Sequence, residues 1–194
     1  MEKYQIHQLV LGDISTNCWI IVHGETCTVI DPADQADLII AQMEKLRVYP
    51  EYILLTHGHF DHITALPDLA AAYGPGKASK EPVIAIHKDD AGYLKKTAAT
   101  RLLEDGDTVG PFTVLHLPGH TPGSAGFYLG DEKILFSGDT LFQGDCGRVD
   151  LPGGSQEKIE ASLSRLLAME SDVRVLPGHG PLTTIGAEQG ARFF

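Results

Sequence analysis

Leu54 to Leu66 reads LLTHGHFDHITAL, and this stretch restricts the fold more than any other in the chain. His57, His59, Asp61 and His62 fall within six positions, between an apolar run short enough for a buried strand and a run with helical spacing. Where a strand gives way to a helix the backbone turns. Side chains two apart, His57 and His59, can then converge on one point, and Asp61 with His62 on a second point nearby. Imidazole nitrogen and carboxylate oxygen are ligands that zinc accepts at roughly 2.0–2.2 Å, and divalent iron and manganese accept them too. No charged helix face explains the cluster, so it reads as a metal-binding loop.

A dinuclear site needs further ligands, on the same rim of the fold. HLPGHTPGS places His120 after the strand FTVLHL, ILFSGDTLF ends a strand at Gly138-Asp139, and VLPGHGP ends the last strand at His179. A glycine precedes each of the three, which lets the backbone turn sharply there. Seven metal-type side chains thus stand at four strand ends.

The remaining pattern is layered. YQIHQLVLG, NCWIIVH and TCTVID read as strands, the last two a hairpin about Gly24-Glu25. A helix follows with Leu38, Ile39, Met43 and Leu46 apolar and Asp34 as its N-cap. EYILLT is nearly all apolar, as a strand covered on both faces should be. ITALPDLAAAY predicts a helix with Pro67 in its first turn or kinking it. PVIAIH is a strand, and KDDAGYLKKTAATRLL is helical in part. SAGFYLG and KILFSGD are further strands, and SQEKIEASLSRLLAM is a helix with Ile159, Leu163, Leu166 and Leu167 on one face. Strands and helices in both halves, with no linker between them, predict one α/β domain over 1–194 with its sheets inside. GPGKASKE is a surface loop and not a phosphate loop, since Ala71 and Ala78 stand where that motif needs Gly and Ser or Thr.

Composition removes several function classes. The net charge of −11 opposes a nucleic-acid partner, and Lys95-Lys96 reads as a solvated helix end. Cys18, Cys27 and Cys146 show no C-x-x-C spacing and read as small, mostly buried hydrophobes. No apolar run approaches a membrane span, and the amino terminus lacks the pattern of a secretory signal, so a cytoplasmic protein is expected. His7, His23, His87 and His116 read as structural or surface residues, His87 being the one to check because it ends a strand.

Thr56 to His62 matches the T-H-x-H-x-D-H motif, and with VIDP, His120, Asp139 and His179 the chain resembles the metallo-β-lactamase superfamily over nearly its full length. The resemblance implies a four-layer αββα sandwich with the metal site at one edge of the sheets. It implies that His57, His59 and His120 hold one metal, that Asp61, His62 and His179 hold the other, and that Asp139 bridges them. Zinc is the expected ion, with iron or manganese admissible. Two divalent ions, two carboxylates and a bridging hydroxide leave a net positive site, which favours an anionic or carbonyl-bearing substrate. The hydroxide would attack a carbonyl polarised by one metal.

LFQGDCGRVDLPGG after Asp139 resembles the glyoxalase II branch, especially its short single-domain members, which cleave thioesters of glutathione such as S-lactoylglutathione. By that resemblance Asp61 and Asp139 orient the hydroxide, and Arg148 contacts the glutathione moiety; a salt bridge to Asp150 or Asp145 is the other reading of Arg148. The chain ends some fifteen residues after His179, without the helical domain of two-domain glyoxalase II enzymes. The alternative is the iron-dependent persulfide dioxygenase of the same superfamily, with His57, His120 and Asp139 on one iron. A secreted β-lactamase, a nuclease and a metal-stabilised binding module fit less well. A structural zinc site is closed by four ligands and does not assemble seven. The expected partner is a small thioester, for a monomer or a homodimer.

Overall fold

The computed structural model describes residues 3–74, 76 and 81–193. Most of the GPGKASKE stretch lies outside them. One sheet contains β1 (Gln5–Leu11), β2 (Thr16–His23), β3 (Thr26–Ile30), β4 (Tyr49–Leu55), β5 (Val83–His87) and β6 (Arg101–Leu103), side by side in that order. β1 to β3 are antiparallel, and β3 to β6 run parallel. Parallel neighbours need crossovers, supplied by α1 (Ala36–Leu46) and by α2 (Phe60–Ile63) with α3 (Leu66–Tyr73). The second sheet draws on β7 (Thr108–Val109), β8 (Phe112–His116), β9 (Ala125–Leu129) and β10 (Ile134–Gly138). A small hairpin, β11 (Leu141–Phe142) with β12 (Asp145–Cys146), follows Asp139. After it, α4 (Gln156–Leu167) crosses to β13 (Arg174–Pro177), then β14 (Thr183–Thr184) and α5 (Ile185–Glu188); the sheet order is β14-β13-β10-β9-β8-β7.

Side-chain alternation builds three apolar layers from these strands. In β2, Trp19 and Ile21 face the space between the sheets, while Cys18, Ile20 and Val22 face α1 and α3. In β10, Ile134 and Phe136 face the same central layer and Leu135 meets Ile159, Leu163 and Leu166 of α4. The result is helices, sheet, sheet, helix: the αββα sandwich. Phe112, Phe127 and Phe136 fill its centre, with Phe112 and Phe136 edge-on at 5.9 Å between ring centroids.

Local details depart from expectation. α1 is not capped by Asp34: Gln35 precedes it in the left-handed region (φ 50°), and the Asp34 carboxylate accepts from the Gln35 amide at 2.7 Å in the turn before. Its buried stripe is Ile39 and Met43, whereas Leu38 is 47 % exposed. The single helix expected after the histidine cluster is two, α2 and α3, with Pro67 in the first turn of α3. Of KDDAGYLKKTAATRLL, Lys88–Tyr93 is helical, as a 3₁₀ turn, and its end, Arg101–Leu103, is a strand.

Candidate metal centre

The carboxyl ends of β3, β4, β5, β10 and β13 meet at one edge of the sandwich, joined by that of β8, which runs in the same direction as β10 through two antiparallel neighbours. β3 delivers Asp31 to the edge, β4 the His57–His62 loop, β5 the turn with Asp90, β8 His120, β10 Asp139 and β13 His179.

The donor atoms form interlocking sets. His57, His59 and His120 make one, Asp61, His62 and His179 another, and His57, His62 and Asp139 a third, each with its atoms within 4.8 Å of one another. Ligands around a tetrahedral ion with ~2.0–2.1 Å bonds lie about 3.3 Å apart. Here His62 Nε2 stands 3.4 Å from both Asp61 Oδ2 and Asp139 Oδ1. His179 Nε2 is 3.3 Å from Asp61 Oδ2 and 3.5 Å from Asp139 Oδ2, and His120 Nε2 is 3.5 Å from Asp139 Oδ2. His59 Nδ1 and His120 Nε2 meet at 2.8 Å. Asp139 therefore borders both triads. His57 Nε2 and Asp139 Oδ1 are buried without a hydrogen-bond partner, an arrangement that an apolar interior does not tolerate cheaply and that a bound cation would relieve.

Hydrogen bonds behind the donors fix which nitrogen faces inward. Thr56 Oγ1 donates to Asp31 Oδ2 at 2.6 Å, so its oxygen can only accept from His57 Nδ1 at 3.1 Å, which leaves His57 Nε2 for the site. His62 Nδ1 donates to Asp31 Oδ2 at 2.9 Å, and His120 Nδ1 to the Arg148 carbonyl at 2.8 Å. Asp31 itself sits in the left-handed region, φ 52°. Asp90, fully buried, clasps two ligand loops: its carboxylate accepts from Gly58 N at 2.9 Å, Thr121 Oγ1 at 2.7 Å and Gly123 N at 2.6 Å. Asn17 and Trp19 of β2 reach across to the Pro177 carbonyl at 3.0 and 3.3 Å, tying the His179 turn to the opposite sheet.

Charge is shared unevenly among these groups. Burial, and after it the neighbouring His62, push His57 well below the ordinary histidine range, so it is a neutral imidazole. Burial also favours neutral His62, yet Asp139 and Asp31 overcome it and hold His62 well above that range. For His179 burial is likewise overcome, by hydrogen bonds to Asp139 and Asp61, and its value rises to about 9. Asp139, despite burial, is held well below the usual carboxylate range by His62 and His179. In the metal-free protein, protons on His62 and His179 balance carboxylates that a cation would neutralise.

The glycine before each ligand has more than one reason. Gly138 is in the left-handed region, φ 52°, as a sharp turn requires, but Gly178 is not. A Cβ at Gly178 would lie 2.2 Å from Asp139 Oδ1 and 2.7 Å from His62 Cε1, so that position is glycine because the ligands crowd it.

A profile of the metallo-beta-lactamase superfamily matches residues 11–179. The chain belongs to that superfamily. Members bind divalent metals, and the clustered donors above are where this member could hold them. Hydroxyacylglutathione hydrolase GloC of Haemophilus influenzae is 35 % identical over 199 residues, 92 % of each chain. Among solved structures, the BLEG-1 B3 metallo-beta-lactamase superposes with a TM-score of 0.87 at 33 % identity, covering 96 % of this chain and 97 % of that one. TTHA1623 in a di-iron-bound form gives 0.86 at 36 %, covering 95 % and 98 %.

All seven donors expected from the sequence converge at this edge. Arg148 borders the same cavity, but its guanidinium is clamped to Asp150 by Nε and Nη2 at 2.6 and 2.7 Å. Cys146 is half-buried, packed against the core layer of α4 and lining the cavity, its thiol pushed up to about 11 by burial and by Asp145, while Cys18 and Cys27 are buried as expected. His87 and His116 stack face to face at 3.9 Å and 11° between the sheets, and His23 packs on Tyr4. With Asp89, His87 and His116 form a further group of donor atoms within 4.8 Å of one another, apart from the seven above, and both rings have protein partners: His87 Nδ1 accepts from Asp89 N at 3.3 Å and His116 Nε2 donates to the Pro122 carbonyl at 2.9 Å. Asp31, Thr56 and Asp90 were not singled out as site residues from sequence. Asp31 and Asp90 do share one signal with the ligands: each directly follows, or nearly follows, the end of a parallel strand.

Proposed function

We propose that the protein is a dinuclear metal-dependent hydrolase of thioesters of the S-lactoylglutathione type. The observation that carries this reading is the pair of donor triads, both bordered by Asp139, at the spacing of ligands about two neighbouring ions. The similarity to the GloC hydrolase supports the thioester class. Zinc is the proposed ion; the di-iron-bound relative keeps iron admissible.

Bound divalent ions supply Lewis-acid polarisation of the substrate carbonyl and a lowered pKa for water. The chain's own residues do the rest. Thr56, Asp31 and the Arg148 carbonyl hold His57, His62 and His120 in the tautomers that present Nε2. Thr16 Oγ1 donates to Asp61 Oδ2 at 3.1 Å and so fixes the carboxylate that, with Asp139, orients the attacking water. Ile14, Phe60, Phe142 and Leu151 give the cavity an apolar mouth that shields the acyl carbon from bulk solvent. No general acid is needed for the leaving group, since a thiolate with a pKa near ~8.5 departs unprotonated. Arg148 is the proposed carrier contact on one wall, reached by exchange with Asp150; solvent screens an exposed pair of this kind, so the exchange is inexpensive.

Free-thiol release from S-lactoylglutathione by zinc-loaded protein, with a chelator control, tests the reading. A chelator-sensitive kcat/KM above ~10⁴ M⁻¹s⁻¹ is expected. A rate orders of magnitude lower, together with oxygen uptake on a persulfide by iron-loaded protein, would replace this reading with the dioxygenase.

A further inference from the structure

The cavity over the donors, about 430 Å³, does not end at the ligands. The Phe60 ring, 71 % exposed, forms its wall on one side and on the other the wall of a second groove of about 200 Å³. Tyr93 connects the two: it packs edge-on against His59 at 5.9 Å and lines the groove. Ile63 and Leu94 give the groove an apolar lining, and Lys95 and Lys96 stand at its rim.

Those two lysines differ from the basic residue in the metal cavity. Arg148 is already held by Asp150. Lys95 and Lys96 are exposed, and among the described residues neither pairs with a carboxylate. Two adjacent ammonium groups on the lining of an apolar groove, in a chain of net charge −11, offer an anion a local attraction there. As the sequence suggested, they are solvated residues just past a helical end, the 3₁₀ turn that stops at Tyr93, and they also line the groove.

We propose that this groove is the second arm of the substrate site, and that Lys95 and Lys96 receive the anionic terminus of the thiol carrier. The acyl carbonyl lies at the donor triads, the carrier's stem crosses the Phe60 ring, and a terminal carboxylate or phosphate meets the ammonium groups. The groove, about 200 Å³, has room for a short polyamide or alkyl stem. The proposal rests on the thioester reading above and specifies its carrier: a thiol whose far end is an anion.

Three S-lactoyl thioesters of 3-mercaptopropionyl amides test it, identical but for a terminal carboxylate, phosphate or primary amide. With zinc-loaded protein at low ionic strength, at least one anionic probe should exceed the amide about tenfold in kcat/KM through KM, the preference fading with salt. The two anionic probes, ranked against each other, tell carboxylate from phosphate. In Lys95→Ala/Lys96→Ala the anionic-to-amide ratio should fall to about one, and in Lys95→Glu/Lys96→Glu it should invert. A wild-type protein without charge preference, or a preference that survives both variants, overturns the proposal. The corresponding non-hydrolysable thioethers, measured by calorimetry, separate the two readings. Thioethers that discriminate by charge while no thioester turns over leave the groove and remove the thioesterase. Brisk turnover without charge preference does the reverse.

Discussion

Asp90→Asn changes one buried atom and tests whether the clasp between the two ligand loops is what holds the first triad together. Oδ2 of Asp90 accepts from Gly58 N and Thr121 Oγ1, and Oδ1 from Gly123 N. An Asn there must point its NH₂ at one of these donors. The least costly choice faces Gly123, which orphans one buried N–H at ~1–3 kcal/mol and leaves two bonds without charge assistance, each weaker by about 1 kcal/mol. The sum is roughly 3–5 kcal/mol, or about 10 °C in Tm for a chain of this size. Thermal unfolding of metal-free protein reads the stability loss. A two-site metal titration should show weakened binding at the His57/His59/His120 triad, because Gly58 lies between two of its ligands and Thr121 follows the third. A Tm within ~2 °C of wild type, with both affinities unchanged, would refute the reasoning.

Other consequences follow from the same geometry. Asp61→Ala should leave one metal per chain and depress thiol release by about 10²-fold or more, read from metal content and initial rate. Gly178→Ala, which sets a Cβ 2.2 Å from Asp139 Oδ1, should cost both metals while far-ultraviolet circular dichroism changes little. The pH dependence has a definite sign. His179 is raised to about 9 in the metal-free protein, so its contribution to stability is fully present below the ordinary histidine pKa of 6.5 and is lost as pH rises through about 9. A cation must displace that proton, so metal binding at pH 7 should release about one to two protons, from His179 and His62, and apparent affinity should rise with pH up to about 9. Calorimetry in buffers of different ionisation enthalpy counts them, and no buffer dependence would contradict the assignment.

What was legible in the sequence divides along a physical line. His57, His59, Asp61 and His62 could be read because one loop carries them all, and His120, Asp139 and His179 because each follows an apolar run and a glycine. A layered α/β domain with its sheets inside could be read because runs such as Trp19 to Val22 are apolar on both faces, whereas the four-layer αββα order came only with the family resemblance. Groups that act at long range left little trace. Asp90 works through Gly123, and Asp31 through His62, 31 positions away; no spacing rule joins such pairs before the fold does. The failed cap at Asp34 is of the opposite kind, because the side chain was spent on the adjacent Gln35 amide, a local competition that a capping pattern does not resolve. Arg148 had two readings in sequence, and the structure shows the pairing with Asp150 two residues on.

The count of metals bound per chain tests the central claim most directly. Metal-free protein titrated with zinc, followed by calorimetry and by metal analysis after desalting, should take up two ions per chain, and Asp139→Ala, which removes the carboxylate bordering both triads, should weaken both. One ion per chain in the wild-type protein, or an Asp139→Ala variant that still binds two with unchanged affinity, would contradict the dinuclear account.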